Sequence, residues 1–152
     1  MPMLAEQMAM PVLSASVVAV VEGSWWNRKA SWLVQLRVPG PDRRHRPAIV
    51  NLGPTQVASL LDVLKNIADR GSRVQGTRSA RLVERYRQPH PDVTVEYIED
   101  TQGVFALVWL NSSGKYRYAS QFDLTDLKQA ITSLQIAMPR GMQLIEELKQ
   151  RR

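Results

Sequence analysis

A chain of 152 residues is long enough for one compact domain or for two small repeats that share a core. Its 44% apolar and 22% charged residues exclude a disordered or collagen-like chain, and the absence of cysteine excludes disulfides and thiolate sites. The net charge of +6 favours a polyanionic partner, nucleic acid first and an acidic membrane surface second.

Neither membrane insertion nor secretion is expected from the sequence. No stretch without a charge is longer than 15 residues, the length of Gln7–Val21, whereas a spanning helix needs about 20 apolar ones. Residues 1–10 contain Glu6 and no basic residue, so they lack the positive start of a secretory signal. We therefore expect a cytoplasmic protein without a membrane partner, in which residues 1–11 form a flexible N-terminal tail.

The first half of the chain reads as strands followed by a helix. β-branched residues and period-two alternation, with Trp32 on an apolar face, predict three strands, at Val12–Glu22, Ser31–Val38 and Pro47–Leu52. A hairpin loop over residues 23–30 and a flexible turn over residues 39–46 separate them. Pro54 suits the first turn of a helix over residues 54–69, which Gly71 ends. Residues 12–71 thus form a first sheet-plus-helix repeat.

The second half repeats this organisation over residues 72–152. The predicted strands are Ala80–Gln88, Asp92–Glu99, Gly103–Leu110 and Lys115–Phe122, with a tight turn over residues 111–114. Thr125 can cap a helix over residues 124–138. Pro139 and Gly141 break that helix, and a short terminal helix follows over Gly141–Gln150.

The two halves also match each other residue by residue. Trp32–Leu36 is aligned with Phe105–Trp109, and four apolar residues recur at a spacing of 70, where Leu52, Val57, Leu61 and Leu64 match Phe122, Leu127, Ile131 and Leu134. The sequence therefore predicts an α+β fold of two antiparallel-sheet-plus-helix repeats, packed as one pseudo-two-fold domain.

The junction between strand and helix carries a family resemblance. The segment Ile49–Leu61 resembles the strand-to-helix junction of the positive cofactor four coactivators, and Gln121–Leu127 resembles a second copy. The wider group includes the plant Whirly proteins and the purine-rich-element-binding proteins. The resemblance implies a Whirly-like pair of curved sheets, each followed by a helix, that binds single-stranded nucleic acid on sheet faces or edges. The family has four strands before each helix, whereas the first half of this sequence shows three.

An aromatic and basic cluster marks the first hairpin, where Trp25 and Trp26 stand beside Arg28 and Lys29. Single-stranded nucleic acid is bound by such groups, because bases stack on aromatic rings while cations follow the phosphates. Neighbours in an extended segment point to opposite sides, so one of the two tryptophans is expected to be exposed and the other buried. Trp32, on a strand, is expected in the core.

The segment Lys115–Tyr118 offers two alternatives, since Lys115 and Arg117 share one strand face while Tyr116 and Tyr118 share the other. Either the basic pair contacts phosphates or the tyrosines stack on bases. Arginine-rich segments complete the candidate surface, since arginine suits bidentate phosphate contacts. The predicted nucleic-acid contacts are Trp25, Trp26, Arg28, Lys29, Arg37, Arg43, Arg44, Arg46, Arg73, Arg78, Arg81, Lys115 and Arg117.

These patterns predict binding of single-stranded DNA or RNA, largely independent of sequence, in transcription or nucleic-acid maintenance. The alternative is a protein-interaction or assembly module whose sheets form an oligomer interface, and a homo-oligomer is compatible with both. No enzyme is expected, because the sequence has no phosphate-binding loop, nucleophile motif or metal-ligand spacing. No metal or other cofactor is expected either.

Overall fold

Two four-stranded antiparallel sheets and two helices form an α+β fold. The computed structural model describes residues 3–23, 28–74, 82–87, 93–100, 103–112 and 116–151. The first sheet, in spatial order, contains β1 (Met3–Gln7), β2 (Ser14–Glu22), β3 (Lys29–Val38) and β4 (Ala48–Leu52), and α1 (Pro54–Val74) follows it. The second sheet contains β5 (Leu82–Arg87), β6 (Val93–Asp100), β7 (Gly103–Ser112) and β8 (Tyr116–Asp123), and α2 (Leu124–Gln150) follows it. The same succession of four strands and a helix occurs twice.

The N-terminal segment differs from the expected flexible tail, because Met3–Gln7 pairs with β2 as an edge strand. Two contacts with α2 anchor this region. The Arg140 guanidinium donates to the Glu6 carboxylate over 2.6 Å from Nε, and the Ser133 hydroxyl donates to the Ala9 carbonyl. The tail prediction was wrong because residues 3–7 pair with β2 and side chains of α2, at the other end of the chain, hold the same segment. The first half therefore has a fourth strand before its helix.

Alternation along the strands creates one buried face on each sheet. In the first sheet the predicted apolar face of Ser31–Val38 is confirmed, since Trp32, Val34, Leu36 and Val38 are all buried. In the second sheet the buried positions on one side of the described strands are Val93, Val95, Tyr97, Ala106, Val108, Leu110, Ser120 and Phe122, and Ile98 is also buried, on the opposite side. We call these the inner faces and the opposite sides the outer faces.

The helices cover the inner faces and join the two halves. α2 contacts β1, β2 and β3 of the first sheet as well as its own β7 and β8, while α1 contacts β3, β4, β6 and β7. The two helices also contact each other, and the buried apolar side chains of both halves form a single cluster. A ligand can therefore reach the sheets at their outer faces, edges and connecting loops.

Both helices run further than their sequence predicted. α1 continues past Gly71 to Val74, because one glycine inside a helix costs only about 1 kcal/mol relative to alanine. α2 begins at Leu124, as predicted, but its N-cap is Asp123 rather than Thr125. The Asp126 amide donates to the Asp123 carboxylate over 2.7 Å, and the Asp123 amide donates back to the Asp126 carboxylate over 3.1 Å. This reciprocal pair is a capping box.

The predicted break at Pro139 and Gly141 does not occur, and α2 is one helix of 27 residues. Proline removes one backbone donor from the helix, but buried side chains anchor the helix on both sides of it. Gly141 is itself a packing residue. A Cβ added there would lie 2.6 Å from Cγ and Cδ2 of Trp32, so glycine allows the helix to cross directly over the indole of β3.

Candidate nucleic-acid interface

An arginine and a tryptophan stack on the outer face of the second sheet. The guanidinium carbon of Arg117, on β8, lies 4.3 Å from the ring centroid of Trp109, on β7. The ladder pairs Trp109 with Ala119 and Asn111 with Arg117, so the two side chains are diagonal neighbours across the strands. Arg117 is exposed and Trp109 is half-buried. We call this pair the Trp109–Arg117 stack.

The indole nitrogen of Trp109 is a second notable feature of the stack. This Nε1–H group is buried, and it has no hydrogen-bond partner among the residues that the structure describes. An unpaired buried donor costs about 1–3 kcal/mol, and such groups in folded proteins call for an explanation. The half-buried indole can offer a base a ring face, whereas its buried donor is not accessible to a ligand.

Strand pairing extends a row of polar positions from the stack toward β5. Thr94 pairs with Trp109, and Arg87 pairs with Thr94, so the Arg87 Cα is about 10 Å from that of Trp109 across two strand spacings. Two rungs further along β5 and β6, Arg85 pairs with Glu96. Among the described side chains, the outer face of the second sheet therefore combines an aromatic ring, the cation of Arg117 and the carboxylate of Glu96.

The two alternatives for Lys115–Tyr118 are resolved at the residues that are described. Tyr118 is half-buried against the core, and its hydroxyl donates to the backbone carbonyl of Arg46 over 3.0 Å. Arg117 faces the other way and is exposed. Arg117 thus lies on the outer face. Tyr118 packs against the core and forms a hydrogen bond between the two halves.

The turn between β3 and β4, residues 39–47, presents three exposed arginines, Arg43, Arg44 and Arg46. We call it the arginine loop. It is internally bonded, unlike the flexible turn that the sequence predicted. The Asp42 carboxylate accepts the Arg44 amide over 2.8 Å and hydrogen-bonds the His45 ring over 2.7 Å. The bond with His45, helped by the Arg44 amide, holds the pKa of Asp42 below its ordinary value.

The predicted contact residues do not form one cluster. Arg37 lies exposed on the outer face of β3, close to the arginine loop, whereas Arg28 and Lys29 lie exposed at the far end of that strand. The nine residue steps from Lys29 to Val38 span about 30 Å in a strand. The remaining predictions fall outside the described residues or side chains, and they are Trp25, Trp26, Arg73, Arg78, Arg81 and Lys115.

Trp109 is the site residue that sequence reasoning missed. The alignment of Trp32–Leu36 with Phe105–Trp109 is out by one residue, because β3 pairs Val34 with Leu52 while β7 pairs Ala106 with Phe122. A slip of one residue moves every side chain to the opposite face. Trp109 was thereby matched to a core position. Trp109 shares a strand face with Asn111, two residues further on. A polar residue at that position indicates that the face is the outer one.

No known protein-family model matches this chain, and no curated protein matches it. Within the described ranges, neither helix is long and apolar enough to cross a membrane. The same part of the chain contains no group of three or more His, Asp or Glu residues arranged to hold a metal ion.

Proposed function

We propose that the protein binds single-stranded DNA or RNA, largely independent of sequence, on the outer face of the second sheet and along the arginine loop. The observation that carries this proposal is the Trp109–Arg117 stack, with the guanidinium 4.3 Å from the ring centroid on an outer face. The proposed activity is binding, without a catalytic step or a cofactor, in transcription or nucleic-acid maintenance.

The chemistry of these groups suits a single strand better than a duplex. The bases of a single strand are free to stack, and each stacked base contributes about 1–3 kcal/mol. A base can stack on the exposed guanidinium of Arg117 or displace it from the Trp109 ring. Arginines of the loop suit phosphate oxygens, which they bind bidentately. Contacts of both kinds tolerate any base sequence.

The architecture supports a pseudo-two-fold, Whirly-like arrangement as part of this proposal. Equivalent ladder rungs occur in both sheets, where Glu6–Val17–Val34–Leu52 corresponds to Glu84–Tyr97–Ala106–Phe122. The N3 side chain also reaches back to the N-cap amide in both helices, from Gln56 to Gly53 over 2.7 Å and from Asp126 to Asp123 over 3.1 Å. These positions are 70 residues apart. Superposing the two sheet-plus-helix units on these rungs tests the relation.

Salt dependence of oligonucleotide binding tests the phosphate contacts. We expect log K for a labelled single strand to fall with log salt by about 0.7 per phosphate contact. The triple variant Arg43→Gln, Arg44→Gln and Arg46→Gln should flatten that slope by about 2 if all three arginines bind phosphates. A matched control removes three exposed charges elsewhere, at Lys65, Lys128 and Arg151. Equal slopes for both triple variants would rule out a specific role of the loop.

Replacement of the stacking residue tests the aromatic contact. Trp109→Leu keeps an apolar side chain on β7 but removes the ring, so affinity should fall by about 1–3 kcal/mol, the contribution of one stacked base. Urea unfolding of the same variant measures how much stability is lost. A Trp109→Leu protein that binds single strands as tightly as the wild type would refute the stacking mechanism. A wild-type protein that binds duplex and single strand equally would refute the preference for single strands.

The outer face of the first sheet favours a second candidate, an assembly module. Leu33 is half-buried on that face, and Met3, at 63% exposure, lies on the neighbouring edge strand. Such apolar outer positions suit contact with a second copy of the chain. Sedimentation at increasing protein concentration, with Leu33→Lys as the disrupting variant, tests this candidate. Assembly that Leu33→Lys abolishes, in a protein that does not bind oligonucleotides, would favour it over nucleic-acid binding.

A further inference from the structure

The arginine loop has internal hydrogen bonds, and none of them involves an arginine side chain. Asp42 accepts the Arg44 amide and hydrogen-bonds the His45 ring, and the His45 amide donates to the Asp42 carbonyl over 3.3 Å. A Cβ added at Gly40 would lie 2.4 Å from the His45 carbonyl oxygen. The two sides of the loop are therefore in close contact, and glycine is needed at the point where they meet.

Tyr118 ties this loop to the second half of the chain. Its hydroxyl donates to the Arg46 carbonyl over 3.0 Å, a bond between residues 72 positions apart. The ring of Tyr118 packs against the core, so the hydroxyl is held by a rigid support. Arg117 is the preceding residue and projects to the outer face of β8. Because β8 is an edge strand, the loop and Arg117 lie on either side of one sheet edge.

We infer that the arginine loop is a preorganised phosphate site for a nucleic-acid backbone that crosses the β8 edge, and that Tyr118 is its positioning residue. This inference rests on the proposed function. Arginines on an ordered loop lose less conformational freedom on binding than arginines on a loose one, so ordering the loop raises affinity without adding a contact. The Tyr118 hydroxyl supplies that ordering from outside the loop.

The test removes only the hydroxyl, with Tyr118→Phe. We expect affinity for a labelled single-stranded oligonucleotide to fall about fivefold, the size of one net hydrogen bond, while the slope of log K against log salt stays unchanged. The unchanged slope is the signature of positioning, because no phosphate contact is lost. Loss of a contact, as in Arg44→Gln, should instead reduce the slope by about 0.7.

A matched control separates positioning from general destabilisation. Ser133→Ala removes the same kind of bond, from a hydroxyl to the distant carbonyl of Ala9, at a site between α2 and the N-terminal segment. It should leave oligonucleotide affinity unchanged. Gly40→Ala is a second loop variant that leaves the core untouched, and it should reproduce the affinity loss of Tyr118→Phe with the same salt slope.

The outcomes distinguish this inference from the function on which it rests. Wild-type affinity in both Tyr118→Phe and Gly40→Ala, in a protein that binds oligonucleotides, would overturn the positioning role and leave the proposed function standing. An equal loss of affinity in Ser133→Ala would also overturn it, because the effect would then follow stability. Absence of oligonucleotide binding by the wild-type protein would overturn both.

Discussion

Gly141→Ala places a methyl group where α2 crosses Trp32, and its effect on stability follows from the distances. The new Cβ would lie 2.6 Å from two carbons of the indole and 3.0 Å from a third, whereas ordinary carbon contacts are about 3.5–4.0 Å. The helix or the ring must therefore move by about 1 Å. Trp32 is only 5% exposed, so the ring has no solvent to move into.

Two opposing contributions determine the expected change in the free energy of unfolding. Overpacking of a core costs about 1–3 kcal/mol, while alanine in place of glycine inside a helix stabilises by about 1 kcal/mol. We expect Gly141→Ala to destabilise by about 1 kcal/mol net, which lowers the melting temperature by about 2–4 °C in a chain of this size. Urea unfolding and a thermal scan measure both quantities.

A double-mutant cycle isolates the contact. Trp32→Leu opens space beneath α2, so in that background Gly141→Ala should stabilise by about 1 kcal/mol, the helix contribution alone. The sign of the alanine effect thus reverses between the two backgrounds. An increase in stability from Gly141→Ala in the wild-type background would show that α2 does not approach Trp32 closely, and it would refute this reasoning.

The other predictions concern the N-terminal strand and the first hairpin. The hydrogen bond from Arg140 holds the pKa of Glu6 below its ordinary value, so this pair adds stability above the ordinary carboxyl pKa of about 4.3. That stability is lost as pH falls through the lower folded pKa, and a pH series of urea unfolding should lose this acid-range step in Glu6→Gln. Trp25→Ala and Trp26→Ala should differ from each other, one weakening oligonucleotide binding by about 1–3 kcal/mol and the other costing about 3–5 kcal/mol of stability. If neither variant changes oligonucleotide affinity, measured by anisotropy, or stability, measured by unfolding, stacking at that hairpin is excluded.

Local patterns in the sequence were sufficient to predict most of the elements. The alternation in Ser31–Val38 identified both the strand and its buried face, because burying one side of a pleated strand leaves a period of two. The start of α1 at Pro54 and the strand within Ala80–Gln88 also agree with the structure. Each of these features depends on residues within a few positions of one another.

Two of the errors, at the N-terminal strand and at Pro139, share a different physical origin, which is a contact with residues distant in the chain. β1 has no apolar alternation, and it is anchored by Arg140 of α2. α2 continues past Pro139 because Trp32 and its neighbours receive the second half of the helix. Short-range rules for proline and glycine predict a break there correctly for an isolated helix, and tertiary packing overrides them.

The candidate site was only partly predicted, because its geometry also depends on contacts between residues distant in the chain. The alternation of Lys115–Tyr118 separated Arg117 from Tyr118, but only tertiary contacts decide which of them faces outward. The sequence does not indicate which way Trp109 faces, because Gly103–Leu110 is apolar throughout, as central strands often are, and shows no alternation. The hydrogen bond that joins the arginine loop to the second half comes from Tyr118, 72 residues from Arg46, and no local pattern indicates it.

The outer faces of the two sheets carry different chemistry at equivalent positions, and this difference bears on how a single strand would lie. With Val34 equivalent to Ala106, Trp109 of the second sheet corresponds to Arg37 of the first. Both side chains lie on outer faces, Arg37 exposed and Trp109 half-buried. Under the proposed function, an aromatic ring in one half stacks on a base while a cation in the other half meets a phosphate. Two sheets with unlike outer faces would thus bind one strand asymmetrically, with base contacts on the second sheet and backbone contacts on the first.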